Sequence, residues 1–535
     1  MSGFFLCIIA IVIGFSPPSG VKPESFSWTA LGSSLLGGSV ACYLFALGTS
    51  KRSAKLLSAG SREAAAETFI RMRRFVWIFV LSFYALLIHG FSYNYIIVEE
   101  KYLGLGTIPV ISEVMVLAPF FLFASSALAG LRSGENLLKG STWRTGKYIS
   151  FHLRQYMLPV FPFLVFSGLT DTIAYFPAIE EVAVAHDFAA VGGLALLVFL
   201  FMLFAPLFLK IVWKCEPLQS GELRESLERL ARDSGVKVRE ILLWHTGGGV
   251  ANAVVTGLIA PFRYVFLTDG LLANLTNREI EAVFAHELGH ARRRHVVIYF
   301  SLIISFLFIG SFVEQPVQNL ISLLQEHLSK DFSLLYIAYV FGLLILFWFV
   351  IFGYVSRRLE QSADAFAVQM VGSEPFATAL ERIVEVSGGG KFLSTWRHFS
   401  ATKRAQFARE APGKQKGSRV LPLFLSLLFG SGILLFLLSV KMDLSRPESE
   451  ILAIRAGYRE SKNDLEGAEK LLRRAVQISP EEAKYHYYLG LILLRNGERE
   501  DALASFEAAL ALAPQEEKYR KKVRELRGPG NYPGD

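Results

Sequence analysis

Cysteine is nearly absent from this chain: Cys7, Cys42 and Cys215 are the only three among 535 residues, and they lie far apart. That spacing excludes a disulfide-stapled scaffold and a zinc site built from cysteine clusters. Charge is also scarce, at 19% of residues, while 52% are hydrophobic and the mean hydropathy is +0.39. Such a balance excludes an ordinary soluble protein, and the length leaves room for several domains. The start of the chain lacks the basic stretch and small-residue cleavage site of a secretory signal. The short apolar run from Phe4 to Phe15, closed by Pro17-Pro18, is therefore expected to be an uncleaved first span. Paired spans broken by Gly or Pro around buried charges, which would mark a transporter, do not stand out; Pro159, Pro162 and Asp171 come nearest. The net charge of +8 is no nucleic-acid signal, because the basic residues gather beside apolar segments. No nucleic-acid partner is expected.

What is abundant is apolar sequence, with 44 Phe and many Leu, Val and Ile runs, and it predicts a polytopic, mainly α-helical membrane protein. Further spans are expected at 27–48, 75–97, 108–131, 156–176, 188–212, 296–314, 333–355 and 421–440. The loops between the early spans alternate in charge. The segment 51–74 holds Lys51, Arg52, Lys55, Arg62, Arg71, Arg73 and Arg74, and 132–154 is basic again, whereas 171–187 is acidic. The positive-inside rule then puts the basic loops in the cytoplasm and gives one consistent topology.

From Cys215 to His295 the composition turns soluble. Leu223 to Ser234 reads as an amphipathic helix, and Val238–His245 and 249–268 read as strands, the latter interrupted by Pro261. A helix follows, with Thr276 as its N-cap, and on it His286, Glu287 and His290 spell H-E-x-x-H. Residues four apart share a helix face, so His286 and His290 can offer imidazole nitrogens to one ion. Glu287, one step round, can reach a water held on that ion, take its proton and pass it to a leaving amine. His295, five residues past His290, lies about 140° further round an unbroken helix and is expected to be structural.

A catalytic zinc needs a third protein ligand. Glu360 and Asp364, four apart on a probable helix in Ser-Arg-Arg-Leu-Glu-Gln-Ser-Ala-Asp, can supply it. One would bind the metal and the other orient a ligand histidine through its remaining N–H. Spacing alone does not say which. Taken alone, E-x-x-x-D also fits a solvated helix face. The apolar hairpin at about 296–355 would return this second motif to the cytoplasmic side, where His286 lies.

HELGH, followed after an apolar hairpin by SRRLEQSADAFA, resembles the membrane-bound zinc metallopeptidases, the family of the zinc-type CAAX prenyl protease and the bacterial heat-shock membrane protease. The resemblance implies a small α+β zinc-peptidase (gluzincin) domain, one Zn²⁺ per chain held by His286, His290 and Glu360, with Asp364 supporting the site. It further implies that Asn252, in a sequence like the family's N-A-x-x-x-G, contacts a protein or peptide substrate on an edge strand. His398 would stabilise the oxyanion. His398 and Arg404 keep the six-residue spacing of the family's H-P-P…R, although Phe399 and Ser400 replace both prolines.

Near the carboxyl end a repeat of period 34 emerges: Ala468, Ala475 and Pro480 recur as Ala502, Ala509 and Pro514. With Leu489, Gly490, Gly497 and Phe506 this is a tetratricopeptide pattern, closed by a polar helix at 516–527, whose default role is to dock a protein partner. Two repeats are few for independent stability, so contact with the membrane domain or oligomerisation is expected. The expected partition is a membrane domain at 1–213, a peptidase domain at 214–420, a last span at 421–440 and a repeat module at 441–535. The chain is thus expected to be an inner-membrane zinc metalloendopeptidase of bacterial membrane-protein processing or quality control. Its site would face the cytoplasm and its repeats the opposite side. The rival expectation is a membrane scaffold that recruits partners through its repeats and keeps a non-catalytic metal site.

Overall fold

The computed structural model describes residues 3–15, 27–98, 110–173, 185–248, 250–328, 333–386, 401–410 and 420–527, with isolated positions at 103–108 and 176–182. Among them eight helices are long and apolar enough to cross a membrane: Trp28–Ser58, Arg62–Gly90, Ile111–Leu138, Thr145–Ile173, Phe188–Val212, His295–Gln325, Ala338–Val371 and Pro422–Leu444. Each falls on an expected span. The described part of the first apolar segment, Gly3–Phe15, is a helix of 13 residues that packs Leu6, Cys7 and Ala10 into the core of the neighbouring helices.

Several helices outrun the apolar windows that announced them. The basic segment 51–74, expected as a loop, is almost wholly helical, and only residues 59–61 separate Trp28–Ser58 from the helix that begins at Arg62. Ala, Arg, Lys and Glu are good helix formers, so the backbone stays helical after the hydrophobicity ends, up to Gly60. For the same reason the polar stretch after Glu314 continues the helix His295–Leu328. The two segments 333–345 and 353–371 join through a π-helical turn, Leu346–Phe352, so the helix bearing Glu360 and Asp364 is an extension of a span.

Two compact units divide the chain. The first comprises Met1–Thr172, Leu197–Ile303 and Asp331–Leu427. Within it a four-stranded sheet forms in the order β1 (Glu216–Pro217), β2 (Glu240–Trp244), β4 (Tyr264–Thr268), β3 (Ala253–Thr256). β2 and β4 run parallel, whereas β1 and β3 pair antiparallel with their neighbours. β3 is thus an edge strand, as expected for the segment after Asn252. All five residues of β4 are buried, which is why the run Tyr-Val-Phe-Leu-Thr has no polar alternation. One face of the sheet shares a core with the helices Glu222–Asp233 and Asn277–Arg292. Leu242, Tyr264 and Phe266 on the other face meet Leu207, Leu209 and Trp213 at the end of the fifth long helix. Trp213 stacks on Trp244 at 4.0 Å between ring centroids, and Trp143, between the third and fourth long helices, covers Gly247, whose φ of +72° and lack of a side chain suit that close approach.

The second unit comprises Ile173–Leu196, Ile304–Lys330 and Leu428–Asp535. Its carboxyl part is two helix pairs, Glu448–Ser461 with Leu465–Ile478 and Ala483–Asn496 with Arg499–Leu512, followed by a closing helix Glu517–Arg527. Ala468, Ala475, Ala502 and Ala509 are fully buried, and Gly490 lies against the ring of Phe506, where a Cβ would stand 2.8 Å from it. Small residues recur at that period because the paired helices approach closely there.

Candidate metal centre

The motif helix Asn277–Arg292 starts where its sequence says it should. The Thr276 hydroxyl accepts from the Glu279 N–H, and the Glu279 carboxylate accepts from the Thr276 N–H, a reciprocal capping box. Its buried stripe runs through Ile280, Val283, Phe284 and Leu288. That stripe fixes the rotation of the helix and turns His286 and His290 toward the helix Gly353–Val371. Gly289 makes the approach possible: a Cβ there would lie 3.1 Å from the backbone of Ala363.

The close contact brings both sequence motifs together. The Nε2 atoms of His286 and His290 are 3.2 Å apart, and each lies 3.6 Å from an oxygen of Glu360. One ligand atom from each of the three residues falls within 4.8 Å of the others. Zinc at about 2.0–2.1 Å from each nitrogen in a tetrahedral site would hold two imidazoles about 3.3 Å apart. The donor set therefore fits such an ion. Asp364 Oδ1 lies 2.9 Å from His286 Nδ1, the nitrogen remote from the cluster, and Asp364 is itself held by Arg404 through two parallel bonds of 2.9 and 2.6 Å.

His295 was expected away from the site, and the structure puts it inside. The motif helix stops at Arg292, Arg294 adopts a left-handed φ of +56°, and a new helix begins at His295. The 140° offset holds only for an unbroken helix. The break swings the His295 ring back, and its Nδ1 stands 2.8 Å from Nδ1 of His290. Each candidate ligand histidine thus has a partner on its far nitrogen, leaving both Nε2 atoms facing Glu360. Arg404 is a second site residue that the sequence flagged only by its spacing from His398.

Charge among the side chains of the cluster is unevenly shared. Burial pushes the His286 imidazole down, but the Asp364 and Glu360 carboxylates beside it outweigh that and raise it to about 9. Burial and the neighbouring His286 charge hold His290 at about 3. Burial lifts the Glu287 carboxyl to about 7, against the pull of His286 and of the Val255 N–H, which donates to Glu287 Oε2 at 2.8 Å. Val255 belongs to β3, so the carboxylate is tied to the edge strand.

Asn252 immediately precedes that strand, with its side chain exposed. Its N–H donates to the Thr268 hydroxyl and its carbonyl accepts from Thr268, which locks the start of β3 to β4. Since the Asn252 carbonyl faces β4, alternation turns the backbone groups of Ala253 and Val255 to the open edge. His398 lies outside the described residues.

Comparison with known proteins agrees with the motifs. Residues 217–412 match peptidase family M48, and residues 483–516 match the tetratricopeptide repeat. Protease HtpX of Shewanella sp. (strain W3-18-1) is 30% identical over 168 residues, which are 30% of this chain and 58% of the relative. The same protease from Shewanella frigidimarina is 31% identical over 177 residues, 31% of this chain and 61% of its own. A Neisseria meningitidis homologue of it is 28% identical over 171 residues, 30% of this chain and 57% of its own. The chain therefore spans somewhat over half the length of these curated relatives. The crystal structure of S. mikatae Ste24p aligns with 72% of this chain and 100% of its own at 18% identity and a TM-score of 0.43. What these comparisons establish is a match of residues 217–412 to peptidase family M48 and, beyond it, a match of residues 483–516 to the tetratricopeptide repeat.

Proposed function

We propose that this chain is an integral-membrane zinc metalloendopeptidase that hydrolyses peptide bonds of protein substrates, serving membrane-protein processing or quality control. The observation that carries this reading is the cluster itself: two imidazole nitrogens and a carboxylate converge, with Glu287 beside them and an open strand edge alongside. In this reading His286, His290 and Glu360 hold Zn²⁺. The ion, when bound, supplies Lewis acidity, acidifying a water and polarising a peptide carbonyl.

The remaining roles fall to side chains and backbone of this chain. Glu287 takes a proton and returns it to the leaving amine, the double role open to a carboxylate placed beside the ion and the scissile bond. The Val255 N–H fixes one of its oxygens. Asp364, clamped by Arg404, and His295 hold the two ligand rings in register. An extended substrate adds to β3 through the outward backbone groups of Ala253 and the carbonyl of Val255, with Asn252 at the end of that platform. His398 is proposed to stabilise the oxyanion. The basic flanks of the spans support a cytoplasmic site in a bacterial inner membrane, and the final span then puts the repeats, which would recruit a protein partner, on the other side.

The test is direct. In purified protein, Glu287→Gln is expected to retain zinc and lose cleavage of an unfolded protein substrate, by a factor of about 10² or more. A zinc chelator is expected to silence the wild type, and readded zinc to restore it. Cleavage that survives Glu287→Gln would sink the assignment of that base, and zinc-loaded wild type that cleaves nothing would favour a scaffold with a non-catalytic metal.

A further inference from the structure

A cavity of about 420 Å³ opens beside His290, a size typical of ligand pockets. One wall is Gly257–Leu258–Ile259, the continuation of the edge strand β3; another is the end of the motif helix with Val296 and Val297 of the helix that follows. Three arginines, Arg263, Arg292 and Arg294, line it, and no Asp or Glu does. Among the described residues none of the three makes a salt bridge.

Arg292 and Arg294 have a bland explanation available. Basic residues favour the negative end of a helix dipole and the cytoplasmic flank of a span. Arg263 has neither excuse, because it precedes β4 in the sheet. Backbone carbonyls of Lys237 and Leu258 hold its guanidinium at 3.1 and 3.2 Å, and its Nε has no acceptor. Fixed, half-buried and without a counter-ion, it adds a third positive charge from a different element to the same cavity. The left-handed turn at Arg294 that returns His295 to the site is also the turn that sets these arginines around it.

We propose that this cavity is an anion-accepting subsite: it takes a carboxylate of the peptide substrate, an acidic side chain or a free carboxyl terminus, close to the scissile bond. This deepens the peptidase reading and rests on it. A phospholipid headgroup shares the charge, but it would not need His290 in the wall or a path that continues β3. A peptide paired along β3 runs past Gly257 straight into the cavity. Guanidinium groups bind carboxylates through short charge-assisted bonds, and a half-buried setting strengthens them.

The test uses the full chain, zinc-loaded, in neutral-lipid nanodiscs. A peptide series walks one Glu, against Gln, along either side of the scissile bond, and a second pair compares a free carboxyl terminus with its amide. Binding is measured on Glu287→Gln protein, cleavage on wild type. At one register the acid is expected to bind about tenfold tighter than its neutral partner. The ratio should shrink with added salt and fall towards one in Arg292→Gln/Arg294→Gln. Equal binding of acid and neutral peptides at every register overturns the proposal, as does a preference that both arginine substitutions leave intact. Arginine substitutions that alter only the response to phosphatidylglycerol in the nanodisc overturn it in favour of a lipid site. A binding preference without wild-type cleavage would instead defeat the peptidase reading and leave the anion site standing.

Discussion

In the proposed zinc site, His286 carries the chemistry of metal loading. With its pKa raised to about 9 in the cluster, it holds a proton at neutral pH that an incoming cation must displace. The sign follows: between about 7 and 9, apparent zinc affinity should rise about tenfold for each pH unit and level off above 9. Calorimetry in buffers of different ionisation heat should report close to one proton released per zinc bound at pH 7. No proton release would mean that His286 is already neutral and that Asp364 does not hold its charge.

His295 acts through His290. One of the two facing Nδ1 atoms must donate to the other, and a donating His290 keeps its Nε2 lone pair for a metal. His295→Ala should weaken zinc binding by about 10–100-fold, as removal of a ligand's hydrogen-bond partner typically does. His295→Asn should recover part of that loss, which a purely steric role would not predict. Zinc titration against a competing chelator measures both.

At the scale of elements, the site depends on two helices meeting at Gly289. Its missing side chain lets Ala363 and Phe366 lie against the motif helix, and that contact sets the distance from His286 to Glu360. Gly289→Val should force the helices apart, cost roughly 1–3 kcal/mol of stability, and lower zinc content even where the protein still folds. Thermal unfolding with zinc stoichiometry separates these effects. The π-helical turn before Gly353 shifts the angular phase of everything after it, including Glu360 and Asp364. Hydrophobic windows found the spans but not their ends, because helix propensity outlasts apolarity at 51–58 and after Glu314.

For the whole molecule, the proposed topology separates peptidase and repeats by a final span. In a chain whose native cysteines have been replaced, a thiol at Glu222→Cys and one at Glu500→Cys should react with an impermeant reagent from opposite sides of sealed vesicles. Labelling from the same side would contradict the topology. Trp213 stacked on Trp244, and Trp143 set against Gly247, tie the long helices to the sheet within one compact unit, so those helices are more than a detachable anchor.

By itself, the sequence determined the features that rest on local physics. Apolar run lengths announced the long helices, an N-cap at Thr276 and two histidines four residues apart announced the motif helix, and a 34-residue recurrence of small residues announced the paired helices. Two short motifs marked His286, Glu287, His290, Glu360 and Asp364 for one cluster, and the structure brings them to one place. Only the tertiary structure decided which groups complete it. Arg404 reaches Asp364 from another helix, and His295 reaches His290 through one left-handed residue, Arg294. Helical periodicity assumes an unbroken backbone, and a single positive φ cancels that assumption in a way no residue count can register.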